Sequence, residues 1–153
     1  MSGPAVQKKR LMPADMPWHW SMSVPTSQGW RIDDPGSLIF TGAQFSVDAS
    51  GKTLGRSDIE VQTDNVFTNI TRVLREAGAD WSNVVKMNTY YVFDGPENDA
   101  TEFWEKMTRV RVRFYANPAH CGTGVRVSGL PGDGLLISAA AIAVLPSQAS
   151  PQG

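Results

Sequence analysis

The stretch QTDNVFTNITRVLREAGADWSNVVK, residues 62–86, contains a helix, its stop and the start of a strand. Val66, Phe67, Ile70, Val73, Leu74 and Ala77 recur at helical spacing and so fall on one stripe. Asp58, a few residues upstream, is a natural N-cap, because its carboxylate can accept from amides that the first turn leaves unpartnered. Gly78 stands where a helix ends on a left-handed residue. Beyond it, NVVKMNTYYVF (83–93) turns β-branched and aromatic and reads as a strand.

Working outward, SLIFTGAQFSV (37–47) is an apolar run whose Gly42-Ala43 interruption predicts a bulge or a close approach, and DASGKTLG (48–55) has turn chemistry. FDGPEND (93–99) is a second turn. A second helix is expected over about 100–115, with Phe103, Met107, Val110 and Phe114 as its apolar stripe. Arg109, Arg111 and Arg113 alternate along it, a spacing that scatters them around a helix as solvated or locally paired charges. TGVRVSG (123–129) and GLLISAAAIAVL (134–145) read as strands joined by the turn signal LPGDG.

The order β-β-α-β-α-β-β, with hairpins expected at both ends, predicts an α+β fold: one mixed sheet carrying two helices on one face. Ser138-Ala139-Ala140-Ala141 is small or apolar on both faces, so the face without helices should also be covered, and self-association is the natural means. Residues 1–16 and 146–153 are rich in Pro, Ser, Gln and Gly and are expected to be loose, leaving one domain at 17–145.

A 153-residue chain with 41% hydrophobic and 19% charged residues can bury a core without staples. The net charge of -1 gives no electrostatic reason to expect nucleic acid or an anionic membrane as partner. One cysteine cannot form an internal disulfide, and the Lys8-Lys9-Arg10 cluster is followed by no apolar signal core, so a cytoplasmic protein is expected. Two histidines and one cysteine show no metal-ligand spacing, and no phosphate-cradling glycine loop is present, so neither metal nor cofactor is expected.

NPAHCGTGVRVSGL (117–130) holds the one cysteine, Cys121, beside His120, then Gly122 and Gly124. Glycines at a strand start commonly admit something close to the backbone. Taken with LIFTGAQ (38–44), DASG (48–51), the 62–86 stretch and the closing AAAIAV (139–144), it resembles the Rid family, also called YjgF/YER057c/UK114, over roughly 18–145. The resemblance implies a chorismate mutase-like fold assembled as a homotrimer, with a small-molecule pocket at each subunit interface. It also implies hydrolysis of reactive enamines and imines such as 2-aminoacrylate. In the family archetype an arginine after the Pro-Ala clamps the substrate carboxylate and a glutamate on the last strand places the water. Here those positions fall on Gly122 and Ala140; Gly42 replaces a serine and Trp20 a tyrosine. The exchange predicts a larger, more apolar cleft suited to a bulky or cyclic imine or enamine, and weighs against the archetypal substrate and against the endoribonuclease activity attached to relatives.

The candidates for chemistry are His120 as a base or water-positioning group, Cys121 as a nucleophile and Glu102 as an acid near the start of the second helix. The candidates for binding are Trp20, Gly42, Gln44, Tyr91, Gly122, Thr123 and Arg126. A ligand-binding or stress-protective module without turnover is the rival reading.

Overall fold

In the computed structural model, which describes residues 5–16, 22 and 24–148, the two helices lie over one face of a mixed sheet. The helix of the opening stretch, α1, spans Ile59–Glu76. The Asp58 carboxylate accepts from the amides of Glu60 and Val61 at 3.0 Å. At the other end Gly78 has φ +72°, and Ala79 N–H returns to Leu74 O while Gly78 N–H returns to Arg75 O, the paired closure that a left-handed glycine allows. Its buried stripe is Ile59, Gln62, Thr63, Val66, Phe67, Ile70 and Leu74. Val73 and Ala77, expected on that stripe, lie at its exposed margin.

Three strands precede α1, one more than expected. β1 (Gln7–Leu11) and β2 (Gly29–Asp33) form a two-stranded antiparallel ribbon. β1 falls inside the segment whose composition predicted looseness; it pairs with β2 along its whole length, and Lys8 and Arg10 tie it to the body of the protein. Lys8 Nζ donates to Ser82 O at 2.7 Å and sits over the Trp30 ring, and Arg10 Nε donates to Ser27 Oγ at 2.9 Å. Two of the three residues of the basic cluster therefore face the body of the protein, with their long stems lying along it.

The main sheet comprises β3 (Pro35–Phe40), β4 (Val84–Tyr91), β5 (Cys121–Arg126) and β6 (Ile137–Pro146) in the order β3-β6-β4-β5. β3–β6 and β6–β4 are antiparallel; β4–β5 is parallel. The expected hairpin between the last two strands is thus absent, because β4 lies between them and the LPGDG turn belongs to a crossover. The bulge does form: Phe40 faces Ile142 and Gln44 faces Ala139, four steps on one chain against three on the other.

The second helix, α2, spans Ala100–Arg111, shorter than expected, and residues 112–114 continue it as turns. The core packs Phe67, Ile70, Leu74 and Met107 from the helices against Met87, Ile137, Ala139, Ala141 and Ala143 of the sheet. The small residues of β6 let the helices approach the sheet, and Trp81 stacks on Phe67 at 5.2 Å to fill the end of the core. On the opposite sheet face Leu38 and Phe40 are 54% and 68% exposed, and Tyr90 and Val125 are partly bare.

Candidate functional site

A cavity of about 500 Å3 opens between α2 and the β4–β5 pair. Its helical wall is Thr101, Trp104, Thr108 and Arg111, spaced three, four and three residues apart and so on one face of α2. Met87, Thr89 and Tyr91 of β4 and Gly122 and Gly124 of β5 make the floor. The floor is register-locked: Met87 pairs with Gly122 and Thr89 with Gly124. Side chains alternate along a strand, so these residues share the face beneath α2.

The two glycines do different things. A Cβ at Gly124 would lie 2.7 Å from Trp104 Cη2, so the indole occupies the space a side chain would need. A Cβ at Gly122 would meet nothing nearer than 3.8 Å, so that position is open to the cavity. Tyr91 packs against Trp104 at 5.4 Å, completing an aromatic end.

The other end is polar. His120 is 4% exposed, and its backbone is laced to the segment between the two strands of the N-terminal ribbon. Ser27 N–H donates to His120 O at 3.2 Å, Ala119 N–H to Pro25 O at 2.9 Å, and Ser27 Oγ to Ala119 O at 2.6 Å. The ring lies edge-on to Tyr115 at 4.5 Å. Burial, then the positive charge of Arg111, push its pKa down to about 3; the Cys121 backbone acts the other way, and Lys86 adds a smaller downward push. The imidazole is therefore neutral at physiological pH.

Among the described residues, every buried side-chain nitrogen or oxygen without a hydrogen-bond partner belongs to Thr108, Arg111, Tyr115 or His120. Native proteins leave few such atoms unmatched; Thr108, Arg111 and His120 line this cavity, and Tyr115 packs against His120. Arg111 Nε and Nη1 are sealed from solvent in this way, while the guanidinium lies 4.9 Å from the Trp104 ring centre.

The structure brings His120, Gly122, Thr123 and Tyr91 together around this cavity. Cys121 points away from it and donates its thiol to Val85 O at 3.2 Å, as adjacent residues of an extended chain must diverge. Glu102 is exposed and pairs with Lys106 at 3.0 Å, one turn along α2. Arg126 is at the far end of β5, held by Glu97 at 2.9 Å and by Phe93 O. Gly42 and Gln44 sit at the β3 edge, three strand spacings or about 14 Å from β5. Trp20 lies outside the described residues, as does His19. Sequence reasoning missed Arg111 and Trp104. The available signal was a second helical stripe, Thr101-Trp104-Thr108-Arg111, beside the apolar one.

Among the described residues no cluster of three His, Cys, Asp or Glu could hold a metal ion, and no helix is long and apolar enough to cross a membrane.

This arrangement of helices, mixed sheet and crossover defines a chorismate mutase-like α+β protein, and comparison with known proteins narrows the class. The family model described as endoribonuclease L-PSP matches residues 25–145. A RutC family protein of Pyrococcus abyssi is 34% identical over 119 residues, 78% of this chain and 85% of that one. A RutC family protein of Synechocystis is 33% identical over 111 residues, 72% and 80% of the two chains. Among solved structures, a Rid family protein of unknown function from Yersinia pestis superposes with a TM-score of 0.69 at 27% identity, over 90% of this chain and 98% of that one. The chain belongs to the YjgF/Rid family.

Proposed function

We propose that the protein is a Rid-type hydrolase that converts a bulky enamine, imine or cyclic catabolic intermediate to the carbonyl compound and ammonia. The observation that carries this reading is the cavity itself, aromatic at Trp104 and Tyr91 and lined at its other end by unpartnered polar groups. Family membership supports a small-molecule-processing role, and the open space at Gly122 supports a substrate larger than the archetype's. An enamine first takes a proton from solvent on its β-carbon and becomes the imine. Water then adds to the carbon of the C=N bond as the nitrogen takes a proton, and the carbinolamine expels ammonia and leaves C=O, whereas a C=N within a ring opens to the amino-carbonyl compound. A neutral His120 ring nitrogen accepts a hydrogen bond from that water and aims it. With a pKa of about 3 it is too weak a base to hold the proton near neutrality, so its contribution is orientation.

The protein assembles as a homotrimer in this reading. Leu38 and Phe40 on the uncovered sheet face support association. Joining the β5 edge of one protomer to the β3 edge of the next would bring Gly42 and Gln44 to the cavity mouth, which one protomer cannot do. A second reading, a binder without turnover, draws on the lining, which contains no carboxylate among the described residues to protonate a leaving group.

Ammonia release from freshly generated 2-aminoacrylate and from a panel of larger imines tests the choice. The hydrolase reading expects turnover of larger imines and a loss of about 10- to 100-fold in His120→Ala, the scale of losing one positioning contact. Ammonia release at the uncatalysed rate across the panel, alongside measurable ligand binding, would establish the binder.

A further inference from the structure

We propose that Arg111 is an anion anchor and that the cavity takes a ring-bearing carboxylate, its ring against Trp104 and its carboxylate on the guanidinium and the Thr108 hydroxyl. The inference rests on the preceding reading only for the location of the site, and concerns binding, not turnover. A buried guanidinium is normally paired, because removing a charge from water costs several kcal/mol without a partner. The ion pairs among the described residues are Arg31–Asp33, Arg56–Asp133, Lys106–Glu102 and Arg126–Glu97, and none involves Arg111. The segment PWHWSMS, residues 17–23, carries no acidic side chain that could supply the missing charge. Among the described residues Arg111 Nε and Nη1 have no acceptor, Thr108 Oγ1 has no partner a turn earlier on the same helix face, and both residues line the cavity.

The charges that act on the neighbouring His120 are those of Arg111 and, more weakly, Lys86, both positive. The position of the cation also sets the ligand's shape. Arg111 is stacked on Trp104, whose indole fills the place of a side chain at Gly124, so an anion on the guanidinium lies beside an aromatic surface. A planar carboxylate on a ring meets both; guanidinium donors match a carboxylate's two oxygens.

Calorimetric titration of the full chain with benzoate, benzamide and inorganic phosphate tests this. Benzoate is expected to bind about tenfold or more tightly than either benzamide, its neutral isostere, or phosphate, on the scale of a charge-assisted contact. Arg111→Met should lose about that factor for benzoate and leave benzamide unchanged, and Arg111→Lys should fall between. Thermal melting guards against misfolding: Arg111→Met should melt no lower than the parent without ligand, and benzoate should raise the parent's midpoint alone. Any of four results overturns the proposal: equal affinity for benzoate and benzamide, undetectable benzoate binding at millimolar concentration, tighter binding of phosphate, or an Arg111→Met protein that melts well below the parent.

Discussion

The two helices have opposite polar economies. Along α1 the buried polar groups are matched. Gln62 donates to Gly55 O and Gly134 O and accepts from Leu136 N–H at 2.8–3.0 Å, and Thr63 Oγ donates to Ile59 O at 2.6 Å. Both ends of α1 are closed by capping contacts. α2 has no side-chain cap, and its inward polar atoms, on Thr108 and Arg111, are unmatched. A satisfied buried network fixes one packing. An unsatisfied one lowers stability and is retained where something else completes it. In the proposed reading α1 is the framework helix and α2 the one that faces the ligand.

Substitutions on the two helices test that contrast most sharply where the framework is hit hardest. Phe67→Ala, at a fully buried site stacked on Trp81, should cost about 3–5 kcal/mol in denaturant unfolding. A cost below about 1 kcal/mol would remove α1 from its assigned role. Gln62→Leu should follow at about 3 kcal/mol, because it leaves two carbonyls and one amide without partners in the interior.

Acid gives the next effect. The folded pKa of His120 is below its unfolded value of 6.5, so the unfolded chain takes up the proton first. Stability should then fall with pH between about 6.5 and 3, at up to about 1.4 kcal/mol per unit from this group, and is unaffected by it above that window. His120→Asn should remove that part of the acid slope, and an unchanged slope in unfolding midpoints would place the titration elsewhere.

A matched pair of isosteric changes is finer. Thr63→Val breaks a hydrogen bond made on α1 and should cost about 1 kcal/mol, whereas Thr108→Val removes a hydroxyl that has no partner and should be neutral or slightly stabilising. Equal costs would erase the distinction between the helices. The smallest effect belongs to Glu102→Gln: its exposed pair with Lys106 is worth below about 0.5 kcal/mol, and ammonia release should not change.

Much of the frame was legible because its signals are local. The Asp58 cap, the spacing from Val66 to Leu74, and Gly78 specify α1 within one window, and the Gly42-Ala43 interruption marked a bulge that the register bears out. What escaped was long-range. Turn chemistry at LPGDG says that the chain reverses, not that β4 will lie between the strands on either side. β1 pairs with β2 and is tied to Ser27, Trp30 and Ser82, none of which a reading of Gln7–Leu11 alone contains. At the site, His120, Gly122, Thr123 and Tyr91 were named because loop and strand chemistry singled them out. Arg111 was hidden among three arginines at alternate positions, and only the placement of α2 over β5 distinguishes the inward one from Arg109 and Arg113, which are exposed.

The N-terminal ribbon also acts as a calibration for the cavity. Arg10 grips Thr26 O and Ser27, and Ser27 in turn grips the main chain at Ala119 and His120. Strand side chains alternate in direction, so a slip of one residue between β1 and β2 would send Lys8 and Arg10 outward and bring Gln7, Lys9 and Leu11 inward. The grip on Ser27 would be lost and the histidine would no longer have a fixed station. An alteration at the amino terminus that shifted this register would therefore be felt at the cavity, whose lining includes Thr26.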